Sequence, residues 1–510
     1  MILHNFSEDK NLNAWGEVFV NGERAILTYS RVSALPYNIW WEGEQRTKRD
    51  TEEAPFISFE SNEKVEIRIK KDKIEQNSEI VVRPQSKAIK VNVKNGEACF
   101  TLTEHGAYTF EIDGFHEALH VFYNPERDFL AEEKKSGRKI IHYKAGTYDI
   151  GNVELPSHTS VIIDKGAVVY GSFSAMYQED VRICGYGIID GSKEVRDDST
   201  LLLPQSVDIE KGLAREIYCI EGDLIEEDVL RKHLKDCKVL NGLIRFYWCK
   251  NFSVEGVIMR DSSTFCFIPA ACTNFTIDNI KAIGMWRYNS DGIDLFNCDN
   301  AIIKNSFLRN FDDCMVIKGI CGWDKRNNEN ILVENCTIWC DWGSALEIGA
   351  ETNADEYNNI VFKDCNIIHS AHVSMRIHHH NRASIKNIVY KNICVDVSKH
   401  TLSPLIIEEG KEYFGESGYL PDLFQFVIKN HGLFCYKKVP GTIDGVTVDN
   451  IRIFKDEVSE IPRVVMYGCD DEHKVRNVRI GAIFINGEKI EDGAKLLDIG
   501  SFVEDVSVQN

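Results

Sequence analysis

No stretch of this chain holds eighteen consecutive apolar residues. Its opening, MILHNFSEDKNLNAW, turns charged and polar within eight residues and has no apolar h-region. The sequence therefore offers neither a membrane-spanning helix nor an export signal, and the expectation is a soluble chain, cytoplasmic or already processed. Positive charge is in short supply as well. The 59 Lys and Arg face 79 Asp and Glu, a net charge of −20 that gives a phosphate backbone no counterions to release, so neither nucleic acid nor membrane is an expected partner. The 16 cysteines lack metal-site spacing; the closest group, Cys314 and Cys321, has no second pair. Such an unpatterned set fits buried free thiols in a reducing compartment, which favours the cytoplasm. A G-G-x-G-x-D nonapeptide, an EF-hand loop and a low-complexity linker are also missing. No metal or cofactor is expected.

What is present is a hydrophobic content of 43 % spread over 510 residues, ample for a large core. Short strand-like units recur through the second half: FSVEGVIM, FTIDNIKA, AIIKNSFL, ILVENCTI, IVFKDCNI, IVYKNICV and VTVDNIRI. Each alternates, pivots on Gly, Asn or Asp, then alternates again. The pivots are Gly256, Asn279, Asn305, Asn335, Asp364, Asn392 and Asn450, at steps of 23, 26, 30, 29, 28 and 58, the last being two turns or one turn with a large insertion. A sharp corner needs a left-handed backbone, which Gly adopts freely and Asn or Asp tolerate best. Stacked corner amides can also share hydrogen bonds, and Cys336 and Cys365 fall at equivalent places after the corner. The period and the several short strands per turn predict a right-handed parallel β-helix; no leucine frame and no 3.6-residue periodicity competes with it. The stretches Lys144 to Ser172 and Val181 to Ser192 read as the first coils. The segment EEDVLRKHLKDCKVL reads as helical within an insertion near 193–241, and a second insertion is expected near 400–440. Residues 1–125 alternate without the ladder and read as a separate β-sandwich, leaving 126–510 for the β-helix.

Three coils align by their core alternation: NSDGIDLF, FDDCMVIKG and GSALEIG, with SMRIHHH following. If Ile293 and Leu295 point inward, so do Met315 and Ile317, Leu346 and Ile348, and Met375 and Ile377. Asp291 then lies beside Asp313, with Asp312 one residue earlier and pointing elsewhere. Adjacent strands stand about 4.8 Å apart. Two carboxylates at roughly that distance repel by about 3 kcal/mol at an effective dielectric near 20. One of the three therefore holds a proton near neutrality, as a general acid must. A single aspartate at a strand end more often satisfies turn amides; three on one patch point to catalysis. In the outward column Asp294 is followed by Val316, Glu347 and Arg376. Glu347 and Arg376 either pair with each other or bind substrate hydroxyls or a carboxylate. Lys318 and His378 lie beyond them. Strand alternation splits His378, His379 and His380 between faces, which argues against a metal centre.

These residues resemble glycoside hydrolase family 28, the polygalacturonase-like β-helix enzymes. Asn289 to Gly292 match the family's Asn-Thr-Asp strand, Asp312 to Cys314 its Asp-Asp step, Gly343 to Gly349 its Gly-His-Gly place and Arg376 to His378 its Arg-Ile-Lys. AGTY and GYGIIDG upstream are also family-like, and the resemblance covers about residues 135 to 455. It implies inverting hydrolysis of an oligosaccharide or polysaccharide. Asp312 would be the general acid and Asp291 and Asp313 would activate water, with Asn289, Lys318, Glu347, Arg376 and His378 as substrate contacts. The family's histidine is Ser344 here, its lysine is His378, and the place of a later tyrosine reads IIEEG (Ile406 to Gly410). A standard polygalacturonase is therefore not expected. A β-sandwich ahead of the helix is similar to the layout of glycoside hydrolase family 49, which shares the three-aspartate logic. With no export signal, exo-action on imported fragments is the expectation. A polysaccharide lyase or uronate epimerase on this fold, and a non-catalytic carbohydrate-binding protein, are the alternatives.

Overall fold

The computed structural model describes residues 1–510 except 7–14, 35–36, 41–50, 195–241, 288, 321–325, 402–404, 409–410, 414–420, 431–438, 458, 492 and 510. The helical segment expected within 193–241, Cys321, and the last two residues of Ile406 to Gly410 lie outside the described residues. The first described strands form two stacked sheets. One has six strands and includes Thr51–Glu60, Gly106–Ile112 and Leu119–Asn124; the other has five and includes Val65–Lys70 and Glu97–Leu102. Alternation in VEIRIK places Val65, Ile67 and Ile69 in the sandwich core with Phe100, Phe110 and Val121. The last sandwich strand ends at Asn124 and the first coil strand begins at Lys139.

From there the chain winds into a right-handed parallel β-helix with three strands per coil. One coil runs Asp299–Lys304, Phe307–Asn310 and Met315–Gly319, and each strand pairs with its counterpart in the next coil. All seven expected corner residues adopt left-handed backbone conformations, from φ 51° at Asn335 to 81° at Gly256. Their amides form the anticipated ladder in part. Asn335 Nδ2 donates to Asn305 Oδ1 at 2.8 Å, Asn392 to Asp364 at 2.7 Å and Asn450 to Asn392 at 2.7 Å. Asn305 instead donates to Asp278, one residue before the corner of the preceding coil. The 58-residue step is one coil carrying an insertion, because Ser384–Lys391 pairs directly with Thr442–Asp449. Cys336 and Cys365 are buried and free, as are Cys249, Cys272 and Cys298 in a second series.

The sandwich rests on one face of the helix, over strands Phe307–Asn310 and Thr337–Cys340. Phe56 and Phe122 pack with Phe307, Trp339 and Ile368. Around this apolar patch runs a buried polar seam. Arg83 bonds Glu111 and Asp396 at 2.9 Å each, His369 meets Glu111 at 2.5 Å, and Arg309 Nη1 meets His120 Nε2 at 2.9 Å while lying 3.7 Å over the Trp339 ring. A second link was not foreseen: Tyr37–Trp40 pairs in parallel with Leu405–Glu408 of the second insertion.

The ladder is testable at Asn335. Replacement by alanine keeps the left-handed corner but loses the amide, and should cost about 1–2 kcal/mol. Glycine, which relieves the backbone, should cost less. Urea midpoints of the two variants measure this, and a glycine variant as unstable as the alanine one would contradict a conformational role for the corner.

Candidate active site

In the central coils the chain turns once more between the second and third strands, and these turns stack into a single column. Residues 261–266, 283–292, 311–314, 341–343 and 371–372 occupy it in successive coils. The pairing register is the one expected from the alternation: Ile293 opposite Met315, Met315 opposite Leu346, and Leu346 opposite Met375. Gly292 N donates to Asp313 O at 2.8 Å, which sets Asp291 and Asp313 side by side on neighbouring coils, with Asp312 in the same turn. Gly343 completes the fit, because a Cβ there would stand 2.7 Å from both the amide nitrogen and Oδ1 of Asp313. Ser344, at the family's histidine position, donates its backbone N–H to Asp313 Oδ1 at 2.9 Å.

The charges are lopsided. Asp291 and Asp312 are buried and Asp313 is half-buried, with Asp294 and Glu347 buried beside them. Against these stands Lys318, whose Nζ lies 2.7 Å from Asp291 Oδ2 and 3.0 Å from Asp294 Oδ1. These two carboxylates, with their acidic neighbours, raise the pKa of the Lys318 ammonium against the cost of burial. One ammonium cannot neutralise the set, so protons remain on it. Burial pushes Asp291 up to about 7 and Asp312 up to about 6, Lys318 opposing both shifts. Burial together with Glu347, Asp312 and Asp291 drives Asp313 up as well. Burial likewise drives Asp294 up, with Lys318 opposing the shift and Asp291 adding to it. Lys318 and, more weakly, Asp294 favour the ionised form of Asp291 against the larger effect of burial.

Farther along the column, Glu347 is opposite Arg376 as expected, but the pair is loose: Nη1 to Oε1 is 3.8 Å, and Nη1 also donates to Ser344 Oγ at 3.3 Å. Glu347 Oε2 and Arg376 Nε are buried without hydrogen-bond partners, and so is Asn289 Oδ1 on the other side of the aspartates. Unmet polar atoms gathered in one groove mark where ligand groups would fit. The histidines divide as alternation requires. His378 Nε2 meets His380 Nε2 at 2.6 Å on the site face, whereas His379 bonds Thr352 Oγ1 and the Ala383 carbonyl. Burial holds all three below the usual imidazole range. Among the described residues no three His, Cys, Asp or Glu converge as metal ligands. The column therefore gathers Asn289, Asp291, Asp312, Asp313, Lys318, Glu347, Arg376 and His378. It adds Asp294, which stands in the expected column but whose link to Lys318 no spacing announces, and Glu351, whose charge also acts on Lys318.

The family model for glycosyl hydrolases family 28 matches residues 222–421, the stretch that carries all these groups, and bears out the resemblance drawn from the motifs. A probable rhamnogalacturonase A of Aspergillus oryzae is 31 % identical over 158 residues, 30 % of this chain and 31 % of that protein. Rhamnogalacturonase B of Aspergillus niger is 32 % identical over 123 residues, 23 % of this chain and 20 % of that protein. The chain thus spans less than a third of the length of these curated relatives. Dex49A from Penicillium minioluteum, at 13 % identity and a TM-score of 0.62, shares the fold over 99 % of this chain and 96 % of its own.

A carboxyl that binds its proton more tightly in the folded state costs stability once it ionises. For Asp312 that cost appears as pH rises from the unfolded carboxylate range, about 4, through about 6, and is complete above it. Asp312→Asn should therefore be more stable than the parent above pH 6, by up to about 3 kcal/mol, and equal to it near pH 4. Calorimetric melting at both pH values checks the sign, and a variant less stable at neutral pH would show that the charged form is favoured by the fold.

Proposed function

We propose that the chain is a glycoside hydrolase that cleaves oligosaccharides or polysaccharides with inversion at the anomeric carbon. The observation that carries this reading is the convergence of Asp291, Asp312 and Asp313 at one corner of adjacent coils, inside the family-matched stretch. In this reading Asp312, which has no salt bridge to a cation among the described residues, protonates the leaving oxygen. Asp291, held by Lys318 and ionised in the active form, acts with Asp313 to draw the proton from a water on the opposite face of the sugar. An inverting pair needs roughly 6.5–9.5 Å between acid and base to admit that water, so Asp312 must work across from the other two rather than beside them.

Two supports extend the reading. The relatives named rhamnogalacturonases make rhamnogalacturonan oligosaccharides the first probe. The second insertion leaves the helix at the same column, between Cys394–Val397 and Asp422–Ile428, and its strand Leu405–Glu408 is braced by Tyr37–Trp40. An insertion at that end of the column favours exo-action on short fragments, and the free buried thiols suit a cytoplasmic enzyme acting on imported ones.

Asp312→Asn should lower kcat by about 10³-fold while leaving sugar affinity nearly intact. Proton NMR at early times should show the anomer opposite to that of the substrate; retention would reject inversion, and an unsaturated product would indicate a lyase. The pH profile of kcat/KM should be bell-shaped with its maximum between about 6 and about 7, since activity needs Asp312 protonated and a neighbour ionised. A profile flat across that range would remove the coupled carboxyls from the mechanism.

A further inference from the structure

The turn that delivers Asp291 carries an arginine that the motifs do not explain. Arg287 is only 9 % exposed. Its Nη2 reaches Asp261 Oδ1 at 3.4 Å, but that oxygen already accepts the Trp286 indole N–H at 2.8 Å. Its Nη1 is buried with no hydrogen-bond partner among the described residues. Leaving a charged donor unmet in a closed environment is costly, and cores rarely tolerate it without a purpose. The place of this group in the fold is defined. Asp261 N donates to Gly284 O at 3.1 Å, so the turn holding Arg287 stacks on the turn holding Asp261, in the same column as the aspartates and one coil before Asp312. Ser290 pins the turn by donating its hydroxyl to the Arg287 carbonyl at 2.5 Å.

Two residues on, Asn289 sits in the left-handed region at φ 53° with its Oδ1 buried and unpartnered. One turn therefore holds an unmet donor and an unmet acceptor, immediately ahead of Asp291. A hydroxyl group both donates and accepts, so neighbouring sugar hydroxyls satisfy both atoms at once. A carboxylate satisfies only the guanidinium and would meet the lone pairs of Asn289 Oδ1 and the charge of Asp261. We infer that Arg287 and Asn289 form a subsite for a neutral sugar unit on the Asp291 side of the reacting bond, Arg287 Nη1 donating to one hydroxyl oxygen and Asn289 Oδ1 accepting from a neighbouring hydroxyl. This subsite rests on the hydrolase reading and adds to it the uncharged character of the unit bound there.

Titration calorimetry on the full chain carrying Asp312→Asn tests it, with rhamnogalacturonan-derived oligosaccharides and isomalto-oligosaccharides as probes. Adding Arg287→Met should weaken binding of the probe that the parent accepts by about tenfold with the melting temperature unchanged, and Arg287→Gln should lose less. In the otherwise unaltered chain, Arg287→Met should raise KM more than it lowers kcat. Affinity within about twofold of the parent in a folded Arg287→Met protein overturns the subsite; if that variant does not fold, the same result with Arg287→Gln does so. A loss confined to probes with a uronate at this position overturns the neutral assignment. A parent that binds neither probe overturns both the subsite and the hydrolase reading, whereas binding indifferent to Arg287 overturns the subsite alone.

Discussion

Parallel pairing that keeps the inward files in register from coil to coil, and shifts only at local irregularities such as the one between Ile317 and Gly319, is the constraint on which the rest of this molecule depends. Adjacent strands are held about 4.8 Å apart by backbone hydrogen bonds, so whatever stands at one position of a coil is repeated at that spacing in the next. For apolar side chains the consequence is a continuous core: Ile293, Met315, Leu346 and Met375 form one file and Leu295, Ile317, Ile348 and Ile377 another. For corner residues it is a row of asparagines whose amides satisfy one another. For aspartates the same geometry is adverse, because it forces like charges together. The site exploits that repulsion, with Lys318 placed so that it relieves two carboxylates and leaves the others short of a counterion.

The sandwich belongs to this arrangement rather than hanging from it. It covers strands Phe307–Asn310 and Thr337–Cys340, which run directly into the turns bearing Asp312, Asp313 and Gly343. Arg309, three residues before Asp312, is held between His120 of the sandwich and the Trp339 ring. Removing one partner of such a buried polar contact is costly, so the seam fixes how the two bodies meet even where it adds little net stability. The turns bearing Asp312, Asp313 and Gly343 are thus held on one side by coil stacking and on the other by the sandwich.

Much of this was legible in the sequence because β-helix physics is periodic. Left-handed corners demand Gly, Asn or Asp, and all seven chosen positions are left-handed. The inward alternation set the register, and the register set Asp291 beside Asp313. What escaped was whatever depends on side-chain reach rather than on period. Lys318 is long enough to fold back onto Asp291 and Asp294, contacts that its place in an outward row does not announce. Arg309, His369 and Asp396 lie on a face that alternation assigns to solvent, and only the sandwich packed over that face explains their burial. Arg287 lies in a turn, where no period exists to say which way a side chain points.

The pairing of Tyr37–Trp40 with Leu405–Glu408 has a bearing on biosynthesis. The first of these strands leaves the ribosome more than three hundred residues ahead of its mate, and at about 5–20 residues per second that is an interval of tens of seconds. Throughout it an unmatched strand edge is open to promiscuous pairing with other nascent chains. A chaperone that shelters the emerging amino-terminal region would act on this edge first, and its final closure would report that the last third of the polypeptide has wound into place.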